Sequence, residues 1–149
     1  MLLKSICNPD VVVCGPDVSA LNAAILMRQR HVGALVVVDE PEGSRTPLGI
    51  ITDRDIVVEV LAAGLDAAKT AVNALLRKPV IIAHDSEQAG EVLERMRLHG
   101  VRRLPVVDAE ERLTGIIALD DVLKLIAGQA HLLVEIIDRE QSHEHRMRR

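Results

Sequence analysis

The chain has 149 residues, a length that suits one compact domain or two intimately packed half-domains. It is 48% hydrophobic and 27% charged with a formal net charge of −4, which excludes a disordered chain and argues against a nucleic-acid footprint over the whole surface. It contains no Phe, Tyr or Trp, so the core must be aliphatic, which argues against a binding surface built on base stacking.

The first ten residues, MLLKSICNPD, hold too short an apolar stretch for a signal peptide, and no apolar run approaches bilayer length. The expectation is a cytoplasmic protein without membrane contact. Cys7 and Cys14 do not form a C-x-x-C pair and have no nearby His at metal-ligand spacing; a disulfide is geometrically conceivable, but cytosolic chains rarely keep disulfides, so two reduced thiols are the reading.

In chain order, a β-branched run at Val11–Cys14 comes first, then Asp17 as a candidate cap and a helix to around Gln29. The apolar run GALVVVD reads as a strand buried on both faces. A polar turn, EPEGSRTPL, leads to a third strand, LGIIT, and a second helix that stops at Gly64. A shift of 69 residues then lays Asp10–Asp39 on Pro79–Asp108, and a shift of 66 lays Gly49-Ile50-Ile51 on Gly115-Ile116-Ile117. The second copy therefore repeats the order: strand Val80–Ala83, cap Ser86, a helix to around Leu98, strands RRLPVVD and TGIIA, and a helix expected to stop at Gly128. The predicted fold is α/β (α+β), two β-α-β-β-α repeats packed with pseudo-two-fold symmetry, since one copy alone has too little core. The boundaries are 1–66, 67–129 and a helical or flexible tail at 130–149, and the seam between copies is the natural ligand site.

In the tail, Leu133, Ile136 and Ile137 form a helical apolar stripe that can continue across the module or pack on a partner chain. His143, Glu144 and His145 suggest a metal, but i, i+2 spacing does not put two ligands on one helical face. The basic ending HRMRR is too short to argue for nucleic acid. No nucleophile–base pair has a supporting motif, and Gly-x-Ser-x-Gly is absent, so no catalytic residue is expected.

HVGALVVVDE followed by LGIITDRDIV, and HGVRRLPVVD followed by LTGIIALDDVL, resemble a tandem pair of cystathionine-beta-synthase (CBS) domains, or Bateman module, over roughly Leu2 to Ala130. The tract TDRDIVVEVLAAGLD resembles the small free-standing bacterial members. The resemblance implies a regulatory module rather than an enzyme. It implies AMP, ADP, ATP or S-adenosylmethionine as regulatory ligand in the clefts between copies, with no obligatory cofactor and no metal. It also implies disk-like homodimers and an unknown protein target.

The resemblance assigns the ribose contacts to Gly-x-x-Thr-x-x-Asp. A carboxylate accepts hydrogen bonds from two adjacent hydroxyls, and Asp55 sits in a first helical turn, which favours an anion. Thr52 ends the preceding strand, where its hydroxyl can reach a ribose or phosphate oxygen. Both residues can also be simple caps. The second copy keeps the carboxylate at Asp121 but has Ala118 in place of Thr52, so the clefts are expected to differ. Arg102 and Arg103 replace Gly33 and Ala34, and the resemblance makes them candidate phosphate ligands; because strand neighbours point to opposite faces, at most one is expected to face the cleft, Arg103 favoured, with the other free to point to solvent or pair with Asp120 or Glu111. Arg54 is a further phosphate candidate or a solvated helix-start residue. Val13, Ile51, Val80, Ile82 and Ile117 are candidate walls of an adenine pocket. A ligand-independent dimerisation or partner-binding module is the competing reading.

Overall fold

The structure, a computed structural model, describes residues 1–40 and 42–147, and not the side chain of Glu144. The elements are β1 (Val13–Cys14), α1 (Ala20–Arg30), β2 (Ala34–Val38), β3 (Pro47–Thr52) and α2 (Asp53–Asp55), then β4 (Ala83–His84), α3 (Ala89–His99), β5 (Arg103–Val107), β6 (Leu113–Ala118) and α4 (Leu119–Met147). The order β-α-β-β-α thus occurs twice. Each copy forms one three-stranded sheet, β1-β2-β3 or β4-β5-β6, whose first pair is parallel and whose second is antiparallel. Among the described residues no helix is long and apolar enough to cross a membrane.

Neither repeat completes its own core. The cluster around Met96, Leu104 and Ile117 takes in Leu3, with Ile6 and Cys7 at its edge. The cluster around Met27, Leu35 and Ile51 takes in Val72, with Leu75 and Leu76 at its edge. The segment leading into each copy therefore packs on the other. The backbone follows the same exchange. Leu3 N–H donates to the Glu87 carbonyl at 2.9 Å, and its counterpart Val72 N–H donates to Val18 at 2.9 Å. Lys4 to Asp85 is matched by Asn73 to Pro16, and Ala89 to Met1 by Ala20 to Thr70. These matched bonds are what a pseudo-two-fold arrangement requires.

The exchange moves the helix starts. Ala20 and Leu21 donate to Thr70 and Ala67, which satisfies amides that a helix N-terminus leaves free. The caps are consequently Ser19, whose Oγ accepts from Asn22 N–H at 3.1 Å, and Gln88, not Asp17 and Ser86. The first strands are also shorter than expected and begin at Val13 and Ala83.

The largest departure is α4, which runs through Gly128 to Met147. Gly64 stops its helix with φ +70°. The position equivalent to Gly64 is Ala130, and a left-handed conformation is costly for Ala, so the second helix has no stop signal there. Residues Ile56–Leu61, after α2, form a π-helical turn that buries Val60, whereas its counterpart Ile126 in the regular α4 is exposed.

Candidate functional site

Thr52 and Asp55 are tied to each other before anything binds. Asp55 N–H donates to Thr52 Oγ1 at 3.1 Å, and Thr52 N–H donates to Asp55 Oδ2 at 2.9 Å, a reciprocal capping box. The Thr52 hydroxyl proton and Asp55 Oδ1 remain free of partners among the described residues. Capping and ligand contact, read from the sequence as alternatives, are thus compatible in one geometry. In the second copy Ala118 N–H donates to Asp121 Oδ2 at 3.0 Å, but Ala118 has no hydroxyl to complete the box.

Both Thr52 and Asp55 line a cavity of about 360 Å³, within the size range of small-molecule sites. The cavity lies between the copies. One wall is Gly49, Ile50 and Thr52–Asp55 of the first copy, and the other is Pro79–Ile81 with His99–Pro105 of the second. It brings together Thr52, Arg54, Asp55, Arg102 and Arg103, with Val80. Both arginines of the second copy line it, where one was expected, because β5 begins at Arg103 and strand alternation does not govern Arg102. Arg102 is paired with Asp120 at 3.3 Å, whereas Arg103 forms no ion pair among the described residues.

Five candidates lie elsewhere. Asp121 caps α4 outside this cavity. Val13 pairs with Val36 in the sheet, and the Ile82 carbonyl accepts from Arg95 Nη1 at 2.8 Å; neither lines the cavity. The reason is the late start of β4: the chain from Pro79 to Ile81 runs along the wall as a connection, so lining falls on residues before the expected position. Ile51 and Ile117 are fully buried core.

The sequence reading missed Arg77, Asp53 and Ile50, all of which line the cavity. Arg77 stands in LLRKP between the repeats, a basic tract whose charge was the available signal. Arg54, Arg77 and Arg103 together place three guanidinium groups without ion pairs, among the described residues, at one cavity. Such groups bind phosphate or carboxylate in bidentate fashion.

Ile50 matters through its peptide groups. In the second copy, Ile116 N–H donates to the Asn8 carbonyl at 2.9 Å and Asn8 N–H donates back at 2.8 Å, so the outer edge of β6 is closed by the chain itself. Asn8 corresponds to Arg77, and Ile116 to Ile50. Arg77 makes no such bonds, so Ile50 presents an unpaired donor and acceptor at the cavity, among the described residues. The packing differs in the same sense. A methyl added at Gly115 would sit 2.9 Å from Cys7 Sγ and 3.0 Å from the Asn8 carbonyl oxygen, whereas at Gly49 it would meet the flexible Leu76 side chain at 3.1 Å.

The CBS domain model matches residues 3–62 and again 72–128. The chain belongs to the CBS domain family. Its CBS repeats are 33% identical over 116 residues to an uncharacterised protein of Methanopyrus kandleri, covering 78% of this chain and 58% of that protein. They are 32% identical over 134 residues to hypoxic response protein 1 of Mycobacterium tuberculosis, covering 90% of each. The CBS domain pair of protein MJ0100, solved in complex with 5′-methylthioadenosine and S-adenosyl-L-methionine, is similar at TM-score 0.75 and 28% identity over 87% of this chain and 98% of that one. Among the described residues of this CBS pair no group of three His, Cys, Asp or Glu side chains could hold a metal ion, and the expected reading of Glu144 lies outside them.

Proposed function

We propose that this CBS pair is a cytoplasmic regulatory module that binds one adenosine-containing ligand per chain in the cleft between Gly49–Asp55 and His99–Pro105, and that it has no catalytic activity. The observation that carries the reading is the coincidence, at one cavity, of three recognition elements: the fixed carboxylate of Asp55, the unpaired peptide edge of Ile50 and the free arginines. The carboxylate suits a ribose diol, the peptide edge suits the donor and acceptor groups of a purine, and Arg54, Arg77 and Arg103 suit phosphates or a carboxylate. The ligands held by the MJ0100 pair support the adenosine part of this reading. The arginines favour AMP, ADP or ATP, with S-adenosylmethionine, whose amino acid carries a carboxylate, as the other candidate.

Titration calorimetry with each of the four ligands tests the proposal. Binding near one equivalent per chain is expected for at least one of them. No heat and no thermal shift with any of the four would overturn it.

A further inference from the structure

Arg102 differs from the other arginines of the cavity. Its Nη2 donates to Asp120 Oδ1 at 3.3 Å, whereas Arg54, Arg77 and Arg103 form no ion pair among the described residues. Asp53 and Asp55 line the cavity too, but their carboxylates accept from backbone amides, Asp53 from Arg54 N–H at 2.8 Å and Asp55 from Thr52 N–H at 2.9 Å. The counter-ion of Arg102 comes from outside the cavity, because Asp120 is the second residue of α4.

The backbone sets this pair up. Leu119 N–H donates to the Arg102 carbonyl at 2.8 Å, the counterpart of Asp53 N–H donating to Gly33 at 3.0 Å. The same joint thus carries Gly33 and Arg54 in the first copy, and Arg102 and Asp120 in the second. With Gly33 across the joint, Arg54 stays free. With Asp120 across it, Arg102 does not.

We propose that Arg102 is a two-position contact: Asp120 holds it in the free chain, and the phosphate of a bound adenosine ligand takes it over, which cuts one of the two ties between Arg102 and α4. This rests on the adenosine reading above and adds its regulation. The charge of the ligand, rather than its base or ribose, reaches the start of the 29-residue α4. Asp120 is then a positioning residue that acts on the ligand through Arg102.

The energetics favour the exchange. The pair is a single contact, longer than the roughly 2.7–2.9 Å of a strong charge-assisted bond. Its side chains are 72% and 64% exposed, so water screens it. Such a pair shifts an equilibrium by about fivefold at most. A phosphate presents several anionic oxygens to the planar guanidinium and gains a bidentate contact. Arg54, Arg77 and Arg103 draw that phosphate to the cavity in any case. A neutral nucleoside carries nothing that displaces a carboxylate, so it leaves the pair intact.

Calorimetry with ATP, adenosine and tripolyphosphate tests this on the wild-type chain, on Asp120→Asn, on Arg102→Gln and on the double variant. Both side chains are largely exposed, so the variants should fold and melt like the wild type. Asp120→Asn should tighten ATP by about two- to fivefold and leave adenosine unchanged. The field of the lost charge acts in either background, so the exchange is read from the difference: with Arg102→Gln present, that gain should be smaller by about twofold or more. Equal gains in both backgrounds, or a gain for adenosine as large as for ATP, would overturn the exchange and leave the adenosine reading standing. Tripolyphosphate bound as tightly as ATP, with the Arg102-dependent gain, would uphold the exchange and overturn the adenosine reading. Binding of none of the three would overturn the exchange, and S-adenosylmethionine would then decide the adenosine reading alone.

Discussion

The two clefts between the repeats start from the same phrases and end as different surfaces. On both sides the incoming segment crosses to the other repeat and makes the same three backbone bonds, Leu3, Lys4 and Ala89 matching Val72, Asn73 and Ala20. They part at the next step. Asn8 closes the edge of β6 at Ile116, and Arg77 leaves the edge of β3 open at Ile50. The open cleft has Thr52 with Asp55 and the free arginines; the closed one has Ala118 with Asp121, Gly33 and Ala34. The scaffold is repeated, and a few side chains plus one pair of peptide bonds separate the open edge at Ile50 from the edge that Asn8 closes at Ile116.

Asp55→Ala against Asp121→Ala is the sharpest test of that difference. Loss of a charge-assisted contact should weaken nucleotide binding by about 10- to 100-fold in the first and leave it unchanged in the second. Each should lose about 1 kcal/mol of stability as a cap disappears. Equal losses of affinity, read by calorimetry, would break the comparison. Next comes Gly115→Ala against Gly49→Ala. The methyl at 115 meets a backbone oxygen and a packed sulfur, so urea unfolding should show a cost of about 1–3 kcal/mol. At Gly49 only the end of Leu76 must yield, and the cost should stay below about 1 kcal/mol.

Acid should separate the repeats more gently. The Arg95 guanidinium bonded to Glu87, helped by the His84 amide, holds the Glu87 carboxyl below its ordinary value of 4.5. Stability from this pair is therefore present above that value and is lost as pH falls through the lowered one. The equivalent residues of the first repeat are Val18 and Leu26, so the loss should appear in the second repeat, and Glu87→Gln should flatten the acid limb of the stability profile. A hydrogen-exchange profile that opens the first repeat earlier in acid would contradict this. The smallest effect concerns the thiols. Burial pushes Cys14 up to about 11 and also raises Cys7 at the closed cleft. Alkylation at mildly alkaline pH should reach half-exposed Cys7 before buried Cys14, and equal rates would show that the first-repeat core opens freely.

Much of this was legible in the sequence. The shifts of 69 and 66 residues carried the repeat, the element order and the phrase that supplies Thr52 and Asp55, because hydrophobic pattern and turn chemistry act locally. Arg102 and Arg103 stood out as departures from Gly33 and Ala34. What remained hidden depends on the exchange between repeats. Ser19 and Gln88 replace Asp17 and Ser86 because the other segment supplies carbonyls to the helix starts. Val13 and Ile82 lie away from the cavity, Val13 in β1 and Ile82 just before the late start of β4. The Gly128 stop failed for a local reason: the comparison that mattered was Gly64 with Ala130.

The reciprocal bonds between Thr52 and Asp55 bear on kinetics. Folding fixes both side chains, so an arriving ligand has no cap to break there and no loop to order. If the proposed ligand binds there, the barrier to association at that corner is largely diffusional, and the arginines steer anions inward. Ligands that share the ribose would arrive at similar rates and differ in how long they stay.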